Sequence, residues 1–178
     1  PVWVHVLTGT RVVLRPLRDD DAEPLWRAVL DPVTWARTEE RPLVPETLEA
    51  YVERRTARRK DGEVAAFAID VDGVLVGQVA LFAADPLARH ASVGLTLLPE
   101  HRGQGHGRDA LRVLVDYAFR SRNLRRVHLQ TLASNEPALR AYRAVGFVEE
   151  GRLREHAWVE GAYDDVVLMA LMRSDRER

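Results

Sequence analysis

Hydrophobic and polar positions change period several times along this chain, and each change predicts an element. The stretch Arg11-Val12-Val13-Leu14-Arg15-Pro16-Leu17 is rich in β-branched residues and ends at a proline, as a strand near a sheet edge does. Asp20 and Glu23 stand at capping-box spacing, Pro24 falls in a first helical turn, and Leu25, Trp26, Val29 and Leu30 make a helical stripe that Asp31-Pro32 stops. Pro45 opens a second helix carrying Leu48, Tyr51 and Val52, which Asp61-Gly62 closes. Between the two helices a polar connection holds one large aromatic, Trp35.

Two apolar runs, residues 64–71 and 74–82, are separated only by Asp72-Gly73, a turn that predicts an antiparallel hairpin. Residues 91–98 alternate: Ala91, Val93, Leu95 and Leu97 share one face, and Ser92, Gly94 and Thr96 share the other, which is small and polar. After a glycine-rich loop, Ala110, Leu111, Leu114, Val115, Ala118 and Phe119 recur at helical spacing, and residues 127–133 read as a strand. Strand, loop, helix and strand make a crossover unit with parallel strands. Asn135 stands at the start of a further helix that Gly146 terminates, and residues 147–158 and 166–172 flank the turn Glu160-Gly161-Ala162 as a final antiparallel pair.

Composition narrows the picture without specifying it. The 178 residues suit one domain, and 46% hydrophobic with 30% charged residues suits an ordinary globular protein. Basic and acidic residues number 26 and 27, so no whole-protein field draws the chain to nucleic acid or anionic lipid. No cysteine is present, which removes disulfides, thiolate zinc sites and a cysteine nucleophile and fits a cytoplasmic location. No secretion signal and no membrane span is expected, because no basic stretch precedes an apolar run near residue 1 and no 18 apolar residues are consecutive.

The chemistry begins in the loop Arg102-Gly103-Gln104-Gly105-His106-Gly107. Glycine at 103, 105 and 107 lets backbone N–H groups converge at a helix start, where the helix dipole adds about half a positive charge. Arg102 and Arg108 bracket the loop with full charges, and a pyrophosphate is the natural ligand. A Walker loop is excluded because Gly107 is followed by Arg108-Asp109, and a dinucleotide fingerprint because Arg108 stands where its third glycine belongs. A glycine-rich turn that binds nothing is the alternative.

A second pattern, Asn-x-x-Ala-x-x-x-Tyr-x-x-x-Gly-Phe from Asn135 to Phe147, follows the next predicted strand. Together with Leu98-Pro99-Glu100-His101 and the glycine loop it resembles the two signature motifs of the GCN5-related N-acetyltransferases, the GNAT family. Val13-Leu14-Arg15-Pro16-Leu17, Glu150-Gly151-Arg152-Leu153-Arg154 and Ala162-Tyr163-Asp164-Asp165 are similar to the RimJ/RimL-like branch. Residues 31–62, where acceptor recognition usually lies, are covered least. The resemblance implies an α/β GNAT fold: a mixed central sheet of about seven strands, with a splayed parallel pair that binds the cofactor, flanked by about four helices.

The resemblance further implies acetyl-CoA as cosubstrate without a metal, and direct attack of a primary amine, from a small molecule or a protein N-terminus, on the thioester. Main-chain groups around Leu95 and Leu97 would bond the pantetheine amides and polarise the thioester carbonyl. Gly103, Gln104, Gly105, His106, Gly107, Arg102 and Arg108 would hold the pyrophosphate. Asn135 would contact the arm, a role compatible with the alternative that it only caps the helix. Tyr142, about two turns further, is the candidate acid for the leaving thiolate, its alternative being a packing role beside Leu139 and Val145.

No general base emerges. Where many relatives carry a carboxylate the chain has Ser92, and where protein-directed members keep a glutamate it has Gln130, assigned with Trp35 to the acceptor side. His90, Glu39, Glu40, Glu160 or a water remain as candidates. His106 reads as loop surface rather than metal ligand, Arg120, Arg122, Arg125 and Arg126 as helix-end charges, and Trp26 and Trp158 as core or pocket wall. A non-catalytic acyl-CoA-binding or regulatory domain is the competing function. The partners expected are acetyl-CoA and an amine, not nucleic acid or membrane. The oligomeric state is open, a homodimer included.

Overall fold

The computed structural model describes residues 7–35, 44–60 and 65–176. Seven strands form one sheet: β1 (Val13–Arg15), β2 (Ala65–Val71), β3 (Val74–Asp85), β4 (His90–Leu97), β5 (Arg126–Leu132), β6 (Val148–Val159) and β7 (Ala162–Met172). Their order is β1-β2-β3-β4-β5-β7-β6, and every pairing is antiparallel except β4 with β5. The helices among the described residues are α1 (Ala22–Val29), the short α2 (Pro32–Trp35), α3 (Leu48–Lys60), α4 (His106–Asp116), α5 (Glu136–Val145) and the short α6 (Arg173–Arg176). Four are long enough to flank the sheet, as the resemblance implied.

The alternation of β4 divides the molecule into layers. Ala91 and Val93 point toward α4 and α5 and enter the main core with Ile69, Val79, Leu81, Leu111, Leu114, Val127, Leu129 and Leu139. On the opposite face, α1 and α3 cover the β1 side of the sheet through Leu25, Ala28 and Tyr51 packed against Ala68 and Leu98. That cover stops short of the parallel pair. Phe82, opposite Ser92 on β3, is 40% exposed, so the small polar face of β4 opens outward. A helix layer therefore closes one side of the β4–β5 pair and leaves the other side accessible.

Turn chemistry behaves as the sequence predicts. Asp72 and Gly73 both take positive φ, 52° and 85°, and Glu160 and Gly161 repeat the pattern at 47° and 86°, the geometry that matches strand twist in tight hairpins. The cap predicted at Asp20 is not made, because Asp20 lies inside a 3₁₀ turn and the N-cap falls one residue later. A 3₁₀ turn at Asp19–Asp21 precedes α1, the N-cap is Asp21, and it makes no side-chain cap bond. Asp21 instead turns inward to take both terminal nitrogens of Arg15, at 2.9 and 3.0 Å, while Arg15 Nε donates to Asp70 at 2.7 Å. A buried charge needs a partner more than a helix end needs a cap. Trp158 is also not core: it is 57% exposed and meets Tyr163 edge-on. Trp26 is partly buried and donates to the Glu46 carbonyl, tying α1 to the approach of α3.

Candidate active site

The site begins where the sheet comes apart. β4 and β5 share three rungs, His90 with Arg126, Ala91 with Val127 and Ser92 with His128. Beyond Ser92, β4 continues to Leu97 paired with β3 alone, and β5 continues to Leu132 paired with β7 alone. The facing edges of the two strands thus have backbone donors and acceptors with no strand between them, and such groups require partners. A ligand carrying amides along an extended chain supplies them. Leu95 and Leu97 line this edge, although Arg102 already donates to the Leu97 carbonyl at 3.4 Å.

At the far end of β4 the chain makes a 3₁₀ turn at Pro99–His101 and enters the glycine loop. Gly103 and Gly105 take φ of 74° and 83°, conformations that disfavour any side chain. Gly107 serves another purpose: a Cβ there would stand 3.1 Å from Leu95 Cδ2 and 3.3 Å from Leu97 Cδ1, so its absence lets α4 settle directly on β4. The first helical bond into the loop is from Asp109 N–H to the Gly105 carbonyl. The backbone N–H groups of residues 103–108 have no acceptor among the described residues. A run of unpartnered donors at a helix N-terminus fits a pyrophosphate.

Two residues that sequence reasoning passed over hold this loop in place. The buried Asp109 carboxylate accepts from the N–H groups of Thr10, Arg11 and Val12 at 3.2, 2.7 and 3.1 Å and from the Thr10 hydroxyl at 3.1 Å. Burial pushes its pKa up, but these bonds outweigh it and keep the group below the ordinary carboxylate range. Arg11, drawn in by the same contacts, donates to the Gln104 carbonyl at 3.2 Å and lies beside Gly105. No spacing in the sequence links residues 10–12 to residue 109; only the fold does.

The predicted site residues fall into place unequally. Arg102 turns away from the loop mouth: it donates to Asp31 at 3.0 Å and to Thr34 at 2.6 Å, and its N–H goes to the Pro99 carbonyl. Its charge is spent on Asp31, while Arg11 and the exposed Arg108 stand at the loop as cations that a phosphate could meet. Gln104 is exposed and donates to the Glu100 carbonyl. His106 is buried, not loop surface, because α4 starts at this residue and turns it inward beside His101, with Nδ1 unpartnered.

Asn135 stands at the start of α5, where both of its readings place it. It is the N-cap of α5 yet makes no side-chain cap bond, and its Oδ1 is buried without a partner. An orphaned acceptor beside the open end of β5 fits an amide N–H of the arm. Tyr142 is buried in the main core on α5, edge-on to Phe147 with centroids 5.8 Å apart. Trp35 ends α2, and its side chain lies outside the described residues, as do Glu39 and Glu40.

Gln130 is exposed on the open face of β5, two residues from His128. Glu160 sits in the exposed β6–β7 turn. Arg125 donates to the Ala88 carbonyl and Arg126 chelates Glu150, both at the closed end of the β4–β5 pair and away from the loop. A cavity of about 650 Å³ lies between α1 and the 98–100 turn, lined by Asp20, Glu23, Asp31 and Glu100 among others. It starts six residues past Ser92, roughly 20 Å along an extended strand, so it is separate from the point where the sheet splits.

The comparisons with known proteins agree with this geometry. Residues 11–148 match the family described as the acetyltransferase (GNAT) domain. The spermidine N(1)-acetyltransferase of Vibrio cholerae is 34% identical over 59% of the chain, which spans 61% of that relative's length. Among solved structures, spermidine N-acetyltransferase from Vibrio cholerae in complex with CoA and spermine superposes with a TM-score of 0.87 at 26% identity, covering 96% of this chain and 100% of that one. Mycobacterium smegmatis RimJ in complex with CoA-disulfide superposes at 0.82 with 25% identity, over 94% and 84% of the two chains. A sheet split at Ser92 and His128, a cradle of free N–H groups and an orphaned Asn135, read with these likenesses, place the chain in the GNAT acetyltransferase family.

Proposed function

We propose that the protein transfers the acetyl group of acetyl-CoA to a primary amine carried by a small molecule, by direct attack of the neutral amine on the thioester. The observation that carries this reading is the three-rung β4–β5 pairing that ends at Ser92 and His128 and leads to the unpartnered N–H run of residues 103–108. A pyrophosphate on that run and an arm between the strands would bring the thioester to the split. There α4 and α5 close one side and the amine can enter only from the other. Main-chain donors of β4 then face the carbonyl oxygen where charge develops, and Tyr142 is the group we assign to protonate the departing thiolate.

A small amine is favoured over a peptide by the likeness over its whole length to a structure that holds spermine with CoA. The test is release of free thiol from acetyl-CoA with a panel of acceptors: spermidine, spermine, short diamines and peptides with free N-termini. Turnover with the polyamines at least tenfold above that with peptides is expected. A preference for peptides would move the acceptor to protein N-termini. Tight CoA binding with no acetylated product would leave a binding domain instead of an enzyme.

A further inference from the structure

Neither Ser92 nor His128, the last rung before the strands part, is a carboxylate, so the proton that an attacking amine must lose needs another acceptor there. What stands there is a chain of three side chains. Ser92 Oγ lies 3.3 Å from His128 Nδ1, and His128 Nε2 lies 3.2 Å from His90 Nδ1, with the two rings edge-to-face at a centroid distance of 5.0 Å. All three are partly buried on the face turned away from α4 and α5, and Ser92 with His128 is the last rung before the strands part. Resting on the acetyl-transfer reading, we propose that Ser92, His128 and His90 form a proton relay from the amine to solvent, with His128 as its base.

The contacts themselves support a relay. Two neutral arrangements satisfy both. In the first, the Ser92 hydroxyl donates to His128 Nδ1, His128 Nε2–H donates to His90 Nδ1, and His90 keeps a proton on Nε2. In the second, His90 Nδ1–H donates to His128 Nε2 and His128 Nδ1–H donates to Ser92 Oγ. One proton entering at Ser92 and one leaving from His90 Nε2 converts the first into the second. The ammonium N–H bond breaks as the Oγ–H bond re-forms, which frees the nitrogen lone pair to attack the acetyl carbon; the thiolate then leaves with the C–S electrons and takes a proton from Tyr142, which the new amide nitrogen replaces with its second N–H proton.

The surroundings keep His128 able to accept. Burial first, then the charges of His90 and Arg126, hold its pKa below the ordinary imidazole value, against Glu150, which raises it. The groups that face it are His90 on β4, with Asp85 opposite on β3, Arg126 on its own strand and Glu150 on β6; β7 presents only Ala170. Arg126 is chelated by Glu150 at 2.6 and 2.6 Å, which leaves little net charge beside the ring. A lowered pKa favours the neutral, accepting form near neutral pH, so the rate falls only on the acid side of the ordinary imidazole range.

The experiment is the pH dependence of kcat for the wild type, His128→Gln and Ser92→Ala with the best amine of the panel. His128→Gln should lose about 10–100-fold at pH 7. That loss should shrink about tenfold per pH unit toward the amine's own pKa, because the amine then arrives unprotonated, while CoA affinity is unchanged. Ser92→Ala, which removes a single oxygen, should show the same profile and stands in if His128→Gln does not fold. A variant profile that superposes on the wild type overturns the relay and leaves acetyl transfer standing. A wild type that acetylates no amine overturns both.

Discussion

At the residue scale, a group can be read from sequence when its role is local and cannot when its role depends on a distant strand. Tyr142 stands two turns from Asn135 by simple helical arithmetic, and the fold places it on α5 in the core beside Phe147. Replacing it with Phe preserves the packing and removes only the hydroxyl. The expected result is a fall in kcat of about 10²-fold with CoA affinity unchanged, checked by steady-state kinetics beside calorimetric titration of CoA. Unchanged turnover would remove the acid role and leave Tyr142 as packing alone. Asn135 was legible as a helix start; that its Oδ1 is left orphaned was not, because a free acceptor is a property of its surroundings. His128 gave no local signal either, since its partners lie 36 and 38 residues away across the parallel pair.

At the element scale, the glycine loop was visible in sequence as an anion cradle, and the structure divides its glycines by task. Gly103 and Gly105 are needed for left-handed backbone, and Gly107 for the approach of α4 to β4. Arg102, bracketing the loop in sequence, belongs spatially to Asp31 and Thr34, and Arg11 takes its place beside the loop. Periodicity can place a strand end or a helix start, but not the direction in which a long side chain leaves it. Gly105→Asp combines three faults: a side chain at φ of 83°, a negative charge facing the phosphates, and a new partner for Arg11. CoA affinity should fall by at least about 100-fold, whereas Gly105→Asn, which tolerates this backbone and carries no charge, should lose far less. Equal affinities by titration would show that the loop does not hold the pyrophosphate.

At the scale of the whole molecule, strand order, hairpins and the parallel crossover follow from sequence because turn chemistry and period are short-range signals. The features that make the fold useful are long-range. β4 and β5 separate after three rungs, a buried Arg15 with Asp21 and Asp70 ties β1 to β2 and to the turn before α1, and Asp109 holds residues 10–12 against the start of α4. Three buried carboxylates, Asp21, Asp70 and Asp109, thus brace β1 and the segment before it, whose Arg11 reaches the glycine loop. The acceptor side was least legible, since Trp35 and the connection beyond it carry no periodic signal, and the Trp35 side chain and residues 36–43 lie outside the described residues.

Coenzyme A is proposed to occupy the gap between β4 and β5, and a crystal structure of the protein with CoA is the decisive test. The predicted result is a pyrophosphate on the N–H groups of residues 103–108, a pantetheine arm bonded to the free edge of β4 and to Asn135 Oδ1, and a thiol at the split beside Ser92. A pyrophosphate bound away from the loop, or an arm that leaves the β4–β5 gap empty, would contradict it.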